Sequence, residues 1–261
     1  MVSSTDVATN LRAAAHGLAE AADAGAELAL LPEYFCLLGR NERDKLTLAE
    51  PAGQGPLQDF LASEAQQHGL WIVGGTVPLA SADAGRVRNS TLVFSPLGQV
   101  VARYDKIHLF RYSGEHESHD ETRTIEAGKD SASFELPSRD GHRWRIGLSI
   151  CYDLRFPELY RRLRSDLLLV PSAFTYPTGQ AHWEVLLRAR AIENLAFVAA
   201  AAQGGVHDNG RRTWGHSMLV DPWGEISASL PEGEGLVMGE LDLGRQSSVR
   251  ESLPALAHRT R

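Results

Sequence analysis

The chain has 261 residues, 43% of them hydrophobic, and no stretch rich in Pro, Ser or charge that would divide it, so a single domain over residues 1–261 is expected. A net charge of −7 with mixed signs and no sustained basic patch argues against nucleic acid as a partner, and no apolar run approaches the ~20 residues of a membrane-spanning helix. Two cysteines, Cys36 and Cys151, are too few for a disulfide framework, and the opening Met1-Val2-Ser3-Ser4 lacks the basic and apolar regions of a signal peptide, so a soluble, cytoplasmic protein is expected.

Asp6 is placed to cap a helix whose apolar positions Val7, Leu11, Ala14 and Leu18 recur at helical spacing, with Gly25 as the stop. Residues 27–31 follow as a buried strand ending at Pro32-Glu33, which puts a carboxylate at the strand's C-terminal end, the edge where layered α/β proteins bind ligands. Taken alone, such a glutamate reads first as a solvated loop carboxylate. Helix and then strand recur, with a helix from Pro56 to near Gly69 and a strand over 70–75. Residues 90–94 and 99–104 flank Ser95-Pro96-Leu97-Gly98 as a hairpin, and its second strand runs on toward Phe110, placing Lys106 near a strand end. Residues 111–124, with Glu115, His116, Glu117, His119, Asp120 and Glu121, read as a polar loop able to wall or cover a site. The loop has no helical His pair and no accompanying cysteines, so a zinc site is not expected there.

Residues 147–150 form a short apolar strand that ends at Cys151-Tyr152-Asp153, before a helix opens at Pro157. A thiol on such a turn stands above the sheet with backbone N–H groups pointing toward it, a setting that favours negative charge and makes Cys151 a candidate nucleophile. A lone cysteine is otherwise a small buried hydrophobe. Arg161, Arg162 and Arg164 complement the C-terminal end of the helix. A strand over 167–170, a helix over 182–194 with Trp183, Leu186, Leu187 and Ala191 on one face, and a small-residue strand over 195–203 follow. A second hairpin joins 215–220 to 225–227 through Asp221-Pro222-Trp223-Gly224, and leads into Leu236-Val237-Met238 and a polar tail.

Leu30-Leu31-Pro32-Glu33, Tyr104-Asp105-Lys106-Ile107-His108-Leu109-Phe110 and Ile150-Cys151-Tyr152-Asp153-Leu154-Arg155-Phe156-Pro157-Glu158 resemble, in order, the three signature regions of the nitrilase superfamily of carbon–nitrogen hydrolases. Pro171-Ser172-Ala173-Phe174, Ala181-His182-Trp183-Glu184 and Trp214-Gly215-His216-Ser217 also resemble family segments, so the likeness covers nearly the whole chain. It implies an α/β fold of αββα layers, with two central sheets and helices on the outer faces. It also implies a homodimer with the helix from Pro157 to Arg164 near the interface, and no metal or cofactor. Family members begin with an apolar strand ending close to where Met1 stands, so the resemblance implies that the first strand is missing here.

The resemblance further implies a Glu-Lys-Cys triad. Glu33 is the general base, Cys151 the nucleophile, and Lys106, with the Tyr152 N–H, the holder of the oxyanion. A cysteine of pKa about 8.5 needs such neighbours to attack at neutral pH. Glu121 matches the family's second glutamate, with Glu115 as the alternative. Within the family the nearest resemblance is to amidases of deaminated glutathione, then to omega-amidases acting on alpha-keto acid monoamides. A small anionic amide is therefore the expected substrate, with Arg155 and Arg212 as candidates to clamp its carboxylate and Tyr176 and Trp214 to line the pocket. Arg155 reads equally as a structural salt bridge to Glu158 or Asp153.

Overall fold

The computed structural model describes residues 1–114 and 118–260, and its first half repeats a helix-then-strand unit. Asp6 caps α1 (Val7–Asp23) by accepting from the Thr9 N–H at 2.7 Å, and Ala14, Leu18 and Ala21 form its buried stripe. After β1 (Leu28–Leu30), α2 (Pro56–His68) opens on Pro56 and stops at Gly69, whose φ of 62° suits a residue without a Cβ. β2 (Trp71–Val73) lies parallel to β1. Then β3 (Val77–Ala80), β4 (Val87–Phe94) and β5 (Val100–Asp105) complete a five-stranded sheet in which β1-β2-β4-β3 stand in order and β5 pairs with β4. The sequence pattern misses β3 because Pro78 interrupts it, and an edge strand tolerates that proline.

The polar loop after Lys106 carries structure of its own. β6 (Arg111–Ser113) and β7 (Ser118–Asp120) pair antiparallel, and a 3-10 turn over Glu121–Arg123 follows. Glu115, His116 and Glu117 lie outside the described residues, and with them the alternative assignment of the second glutamate.

The second sheet begins with β8 (Ser133–Pro137) and β9 (Arg143–Leu148), which lead to a 3-10 turn over Cys151–Arg155 and to α3 (Pro157–Leu163). β10 (Leu167–Leu169), α4 (Tyr176–Asn194) and β11 (Phe197–Ala200) follow. A small two-stranded pair, β12 (Gly204–Val206) and β13 (Arg212–Trp214), precedes the hairpin of β14 (Ser217–Val220) and β15 (Ile226–Leu230). The six strands stand in the order β15-β14-β11-β10-β9-β8. α4 starts six residues before the predicted 182, because Pro177 opens its first turn and Gly179 is a packing glycine rather than a break. A Cβ at Gly179 would collide with the Trp214 side chain. The polar tail folds into α5 (Leu243–Ser252), capped by Asp242 accepting from the Arg245 N–H.

Leu18, Leu57, Leu61, Ile72 and Phe94 join α1 and α2 to the outer face of the first sheet. Val73, Val93 and Tyr104 of that sheet meet Phe134, Ile146 and Leu168 of the second in a core that continues to Tyr160 of α3 and to Trp183 and Leu187 of α4. These are the expected αββα layers. Trp183 is fully buried and its indole N–H donates to the His216 carbonyl at 2.8 Å; truncating a tryptophan so placed costs about 3–5 kcal/mol.

Among the described residues β1 pairs with β2 alone. Its outer edge faces a cavity of about 980 Å³ lined by Ala14, Gly17 and Leu18 of α1, by Leu169 and Met218 of the second sheet, and by 236–241, which run past without forming a strand.

Candidate active site

Parallel pairing aligns strand ends within each sheet, β1 with β2 in the first and β9 with β10 in the second, and the residues that follow β1 and β9 meet between the sheets, where the Ala173 N–H reaches Glu33. Glu33 follows β1, Lys106 is the first residue after β5, and Cys151 follows β9. All three are buried. Glu33 Oε1 accepts from Lys106 Nζ at 2.8 Å and from Asn89 Nδ2 at 2.9 Å, and Oε2 accepts from the Ala173 N–H at 3.0 Å. Lys106 Nζ also donates to Glu121 Oε1 at 2.8 Å. Tyr34 Oη donates to the same oxygen at 2.8 Å, and the Phe110 N–H holds Glu121 Oε2 at 2.7 Å. An ammonium has three protons. Two are engaged by Glu33 and Glu121, which leaves one for a further acceptor in the pocket.

Cys151 sits at a φ of 49°, a left-handed conformation that costs a residue with a Cβ about 1–3 kcal/mol and persists only when its surroundings enforce it. Here they do. The Cys151 N–H donates to the Pro171 carbonyl at 3.0 Å, and Asp153 Oδ2 accepts from the Ile150 N–H at 2.9 Å. The fully buried Asp153 carboxylate also accepts from Tyr104 Oη at 2.7 Å and from the His108 N–H at 3.1 Å, with His108 Nδ1 2.7 Å away. Asp153 thus ties the chain on either side of Lys106 to the turn that carries the thiol. The Tyr152 N–H finds no acceptor among the described residues.

Burial opposes the Lys106 charge, but Glu121 and Glu33 overcome it and hold the ammonium well above its usual range. Burial likewise raises Glu121, and Lys106 overrides it to hold that carboxyl below the ordinary carboxylate value. Burial, Glu121 and Glu33 keep Tyr34 a phenol. Burial pushes the Cys151 thiol well up and the nearby Glu33 carboxylate adds to the rise, against the pull of Lys106. A thiol that rests protonated beside a carboxylate must lose its proton as it attacks, and the carboxylate is in place to take it. The pocket over these groups is small, about 50 Å³, with Glu33, Lys106, Glu121 and Cys151 in its lining beside Lys45 and Arg211. Among the described residues no three metal-ligating side chains converge.

Residues 2–251 match the family described as carbon-nitrogen hydrolase. The chain belongs to that family. This carbon–nitrogen hydrolase is 42% identical to the deaminated glutathione amidase of Synechocystis sp., over 99% of its own length and 95% of that protein's. All of it superposes on 63% of the C. elegans NitFhit protein with a TM-score of 0.87 at 36% identity. It also superposes on 94% of a CN-hydrolase superfamily protein of Xanthomonas campestris, whose structure carries an arsenic adduct in the active site, with a TM-score of 0.85 at 32% identity. The chain is a hydrolase acting on carbon–nitrogen bonds.

Of the other residues singled out in this carbon–nitrogen hydrolase, Glu121 stands against Lys106, while four stand away from the pocket lining. Arg155 spreads over the Tyr152 and Phe174 rings, at 5.8 and 5.7 Å from their centroids, with His182 Nδ1 3.3 Å from its guanidinium. It makes no salt bridge to Glu158, and Asp153 faces His108 instead. Arg212 stacks on Tyr176 at 3.6 Å and pairs with Glu232 at 3.0 Å, and Tyr176 packs edge-on against Trp214. Asn89, Tyr34, Asp153 and the Ala173 N–H belong to the site but carry no separate sequence signal. Asn89 is one polar residue inside β4, and Tyr34 and Asp153 each lie within two positions of a residue that masks them.

Proposed function

We propose that this hydrolase is an amidase that cleaves deaminated glutathione to 2-oxoglutarate and cysteinylglycine through a thioester on Cys151. The observation that carries the reading is the convergence of a buried thiol held neutral, a carboxylate beside it and an ammonium with one free proton. Near-full-length similarity to proteins named deaminated glutathione amidase supports the substrate. Glu33 takes the thiol proton as Sγ attacks the amide carbon, and Lys106 and the Tyr152 N–H hold the oxyanion. The tetrahedral adduct collapses as Glu33 passes the proton to the departing amine. Water, deprotonated by Glu33, then adds to the thioester carbonyl; collapse expels the Cys151 thiolate, which takes the proton back from Glu33, and the acid departs. Glu121 keeps Lys106 charged and in place.

The test is mass spectrometry of products from deaminated glutathione and from alpha-ketoglutaramate, with Cys151→Ala as control. A kcat/KM at least about tenfold higher for deaminated glutathione is expected, against the 1.4 kcal/mol that such a factor represents. Faster turnover of alpha-ketoglutaramate would move the assignment to the omega-amidases, and no turnover of either would leave a non-catalytic member of the fold.

One hydrolase domain over the chain, a cytoplasmic setting and a homodimer complete the reading. No helix among the described residues is long and apolar enough to cross a membrane. The dimer is supported by the outer face of α4, where Val185 is 68% exposed and Ile192 45% exposed. Trp223, 51% exposed, sits beside them on a turn held by Arg188 Nε donating to the Gly224 carbonyl at 2.8 Å. Monomers rarely leave such apolar groups together in water. A Val185→Asp, Ile192→Asp double variant is expected to sediment as a monomer while the wild type sediments as a dimer; equal masses would place the interface elsewhere.

A further inference from the structure

The charges lining the catalytic pocket do not all pair. Lys106 is committed to Glu33 and Glu121, and Glu42 accepts from the Asp120 N–H at 3.4 Å with His119 Nδ1 4.0 Å away. Two half-buried cations remain. Lys45 reaches Thr124 Oγ1 at 3.4 Å and lies 5.3 Å from the Tyr34 ring centroid, and neither it nor Arg211 has a carboxylate within ion-pair distance among the described residues. Arg211 is near enough to Lys45 to repel it, against the pull of Glu121 and Glu42. Two like charges side by side, neither in an ion pair, are an arrangement that an incoming anion completes.

Arg211 is held firmly from behind. Its N–H donates to Asn209 Oδ1 at 2.9 Å, and its carbonyl accepts from the His207 N–H at 2.9 Å. Asn209 Nδ2 in turn donates to the carbonyls of Leu38 and Gly39 at 2.9 and 2.7 Å, which fastens the β12–β13 turn to a loop that also lines the pocket. Strand alternation then decides which arginine faces inward. Arg212 opens β13, turns outward and is occupied by Tyr176 and Glu232, while its neighbour Arg211 reaches the pocket with its guanidinium unpaired.

We propose that Arg211, assisted by Lys45, binds a substrate carboxylate remote from the scissile carbonyl and so restricts the enzyme to anionic amides. This rests on the amidase reading above and names the residue that sets its substrate class. A guanidinium offers a carboxylate two parallel hydrogen bonds, and Lys45 adds charge without that geometry.

The test compares glutaric acid monoamide with pentanamide, which differ by a carboxylate in place of a methyl group, in wild type, Arg211→Ala, Arg211→Lys and Arg155→Ala. Wild type is expected to prefer the anion by about 10- to 100-fold in kcat/KM. Arg211→Ala should abolish that preference by raising KM for glutaric acid monoamide far more than for pentanamide, and Arg211→Lys should restore part of it. The second measurement needs no turnover: the glutarate concentration that half-protects Cys151 from iodoacetamide should rise about 10- to 100-fold in Arg211→Ala. An unchanged half-protecting concentration, or a preference lost in Arg155→Ala and kept in Arg211→Ala, would overturn the assignment. If wild type hydrolyses neither amide while glutarate protection still depends on Arg211, the anchor stands and the amidase reading falls.

Discussion

Glu33→Gln is expected to lower amide turnover by at least about a thousandfold and, at the same time, to make Cys151 easier to alkylate. The first effect follows because Glu33 is the carboxylate that acts most strongly on the Cys151 thiol and takes its proton in the proposed mechanism, and a positioned acid–base group contributes roughly 10²–10⁴-fold. The second follows from charge. After burial, Glu33 is the largest influence raising the thiol pKa, and Lys106 opposes it. Removing the carboxylate leaves the ammonium in sole possession, so the alkylation midpoint should move to lower pH. The variant should also lose about 1–3 kcal/mol of stability, because both Glu33 oxygens accept hydrogen bonds and an amide has only one acceptor to offer the Asn89, Lys106 and Ala173 donors. An iodoacetamide pH profile read beside kcat separates these effects. A midpoint that moves up would show that Glu33 stores the thiol proton at rest rather than repelling the thiolate.

Glu33, Lys106 and Cys151 are legible in the sequence because each lies just past a strand end, the edge where layered α/β proteins bind ligands, inside segments that resemble the family's three signature regions. The cap at Asp6, the stop at Gly69 and the turn at 95–98 are legible because local backbone geometry demands those residue types. What escapes the sequence depends on contacts with other segments. β3 carries a proline that only its edge position permits, and Gly179 looks like a helix stop until Trp214 is seen packed on it. α5 is almost wholly polar, so no apolar period announces it. Arg211 and Arg212 cannot be told apart as letters, since the register of β13 alone turns one toward the pocket and the other onto Tyr176. The Asp153 clamp joins two signature regions, and its carboxylate becomes meaningful only once Tyr104 and His108 stand against it.

Lys106→Met is expected to reverse the pH dependence of stability as well as abolish turnover. In the wild type, Glu121 is held below its ordinary value by Lys106, so it contributes stability above an unfolded pKa of about 4.3 and loses that contribution as pH falls through the lower folded value. Methionine fills much of the same space but carries no charge. Glu33 and Glu121, each 2.8 Å from the ammonium in the native protein, then face one another inside a buried site with no cation between them. With Lys106 gone, burial and the repulsion of its neighbour raise the folded pKa of Glu121. The native state then holds a proton that the unfolded chain has released, and stability falls as pH rises above about 4.3 until the folded carboxyl ionises. Breaking a buried pair by removing one partner costs about 3–5 kcal/mol, so near neutral pH the variant should sit that far below wild type and recover much of the difference in acid. Urea midpoints between pH 4 and 8 read the two slopes directly. Parallel curves would mean that Lys45, which already feels the charge of Glu121, moves in to replace the missing ammonium, and the Lys45→Met, Lys106→Met double variant would then bring out the reversed slope.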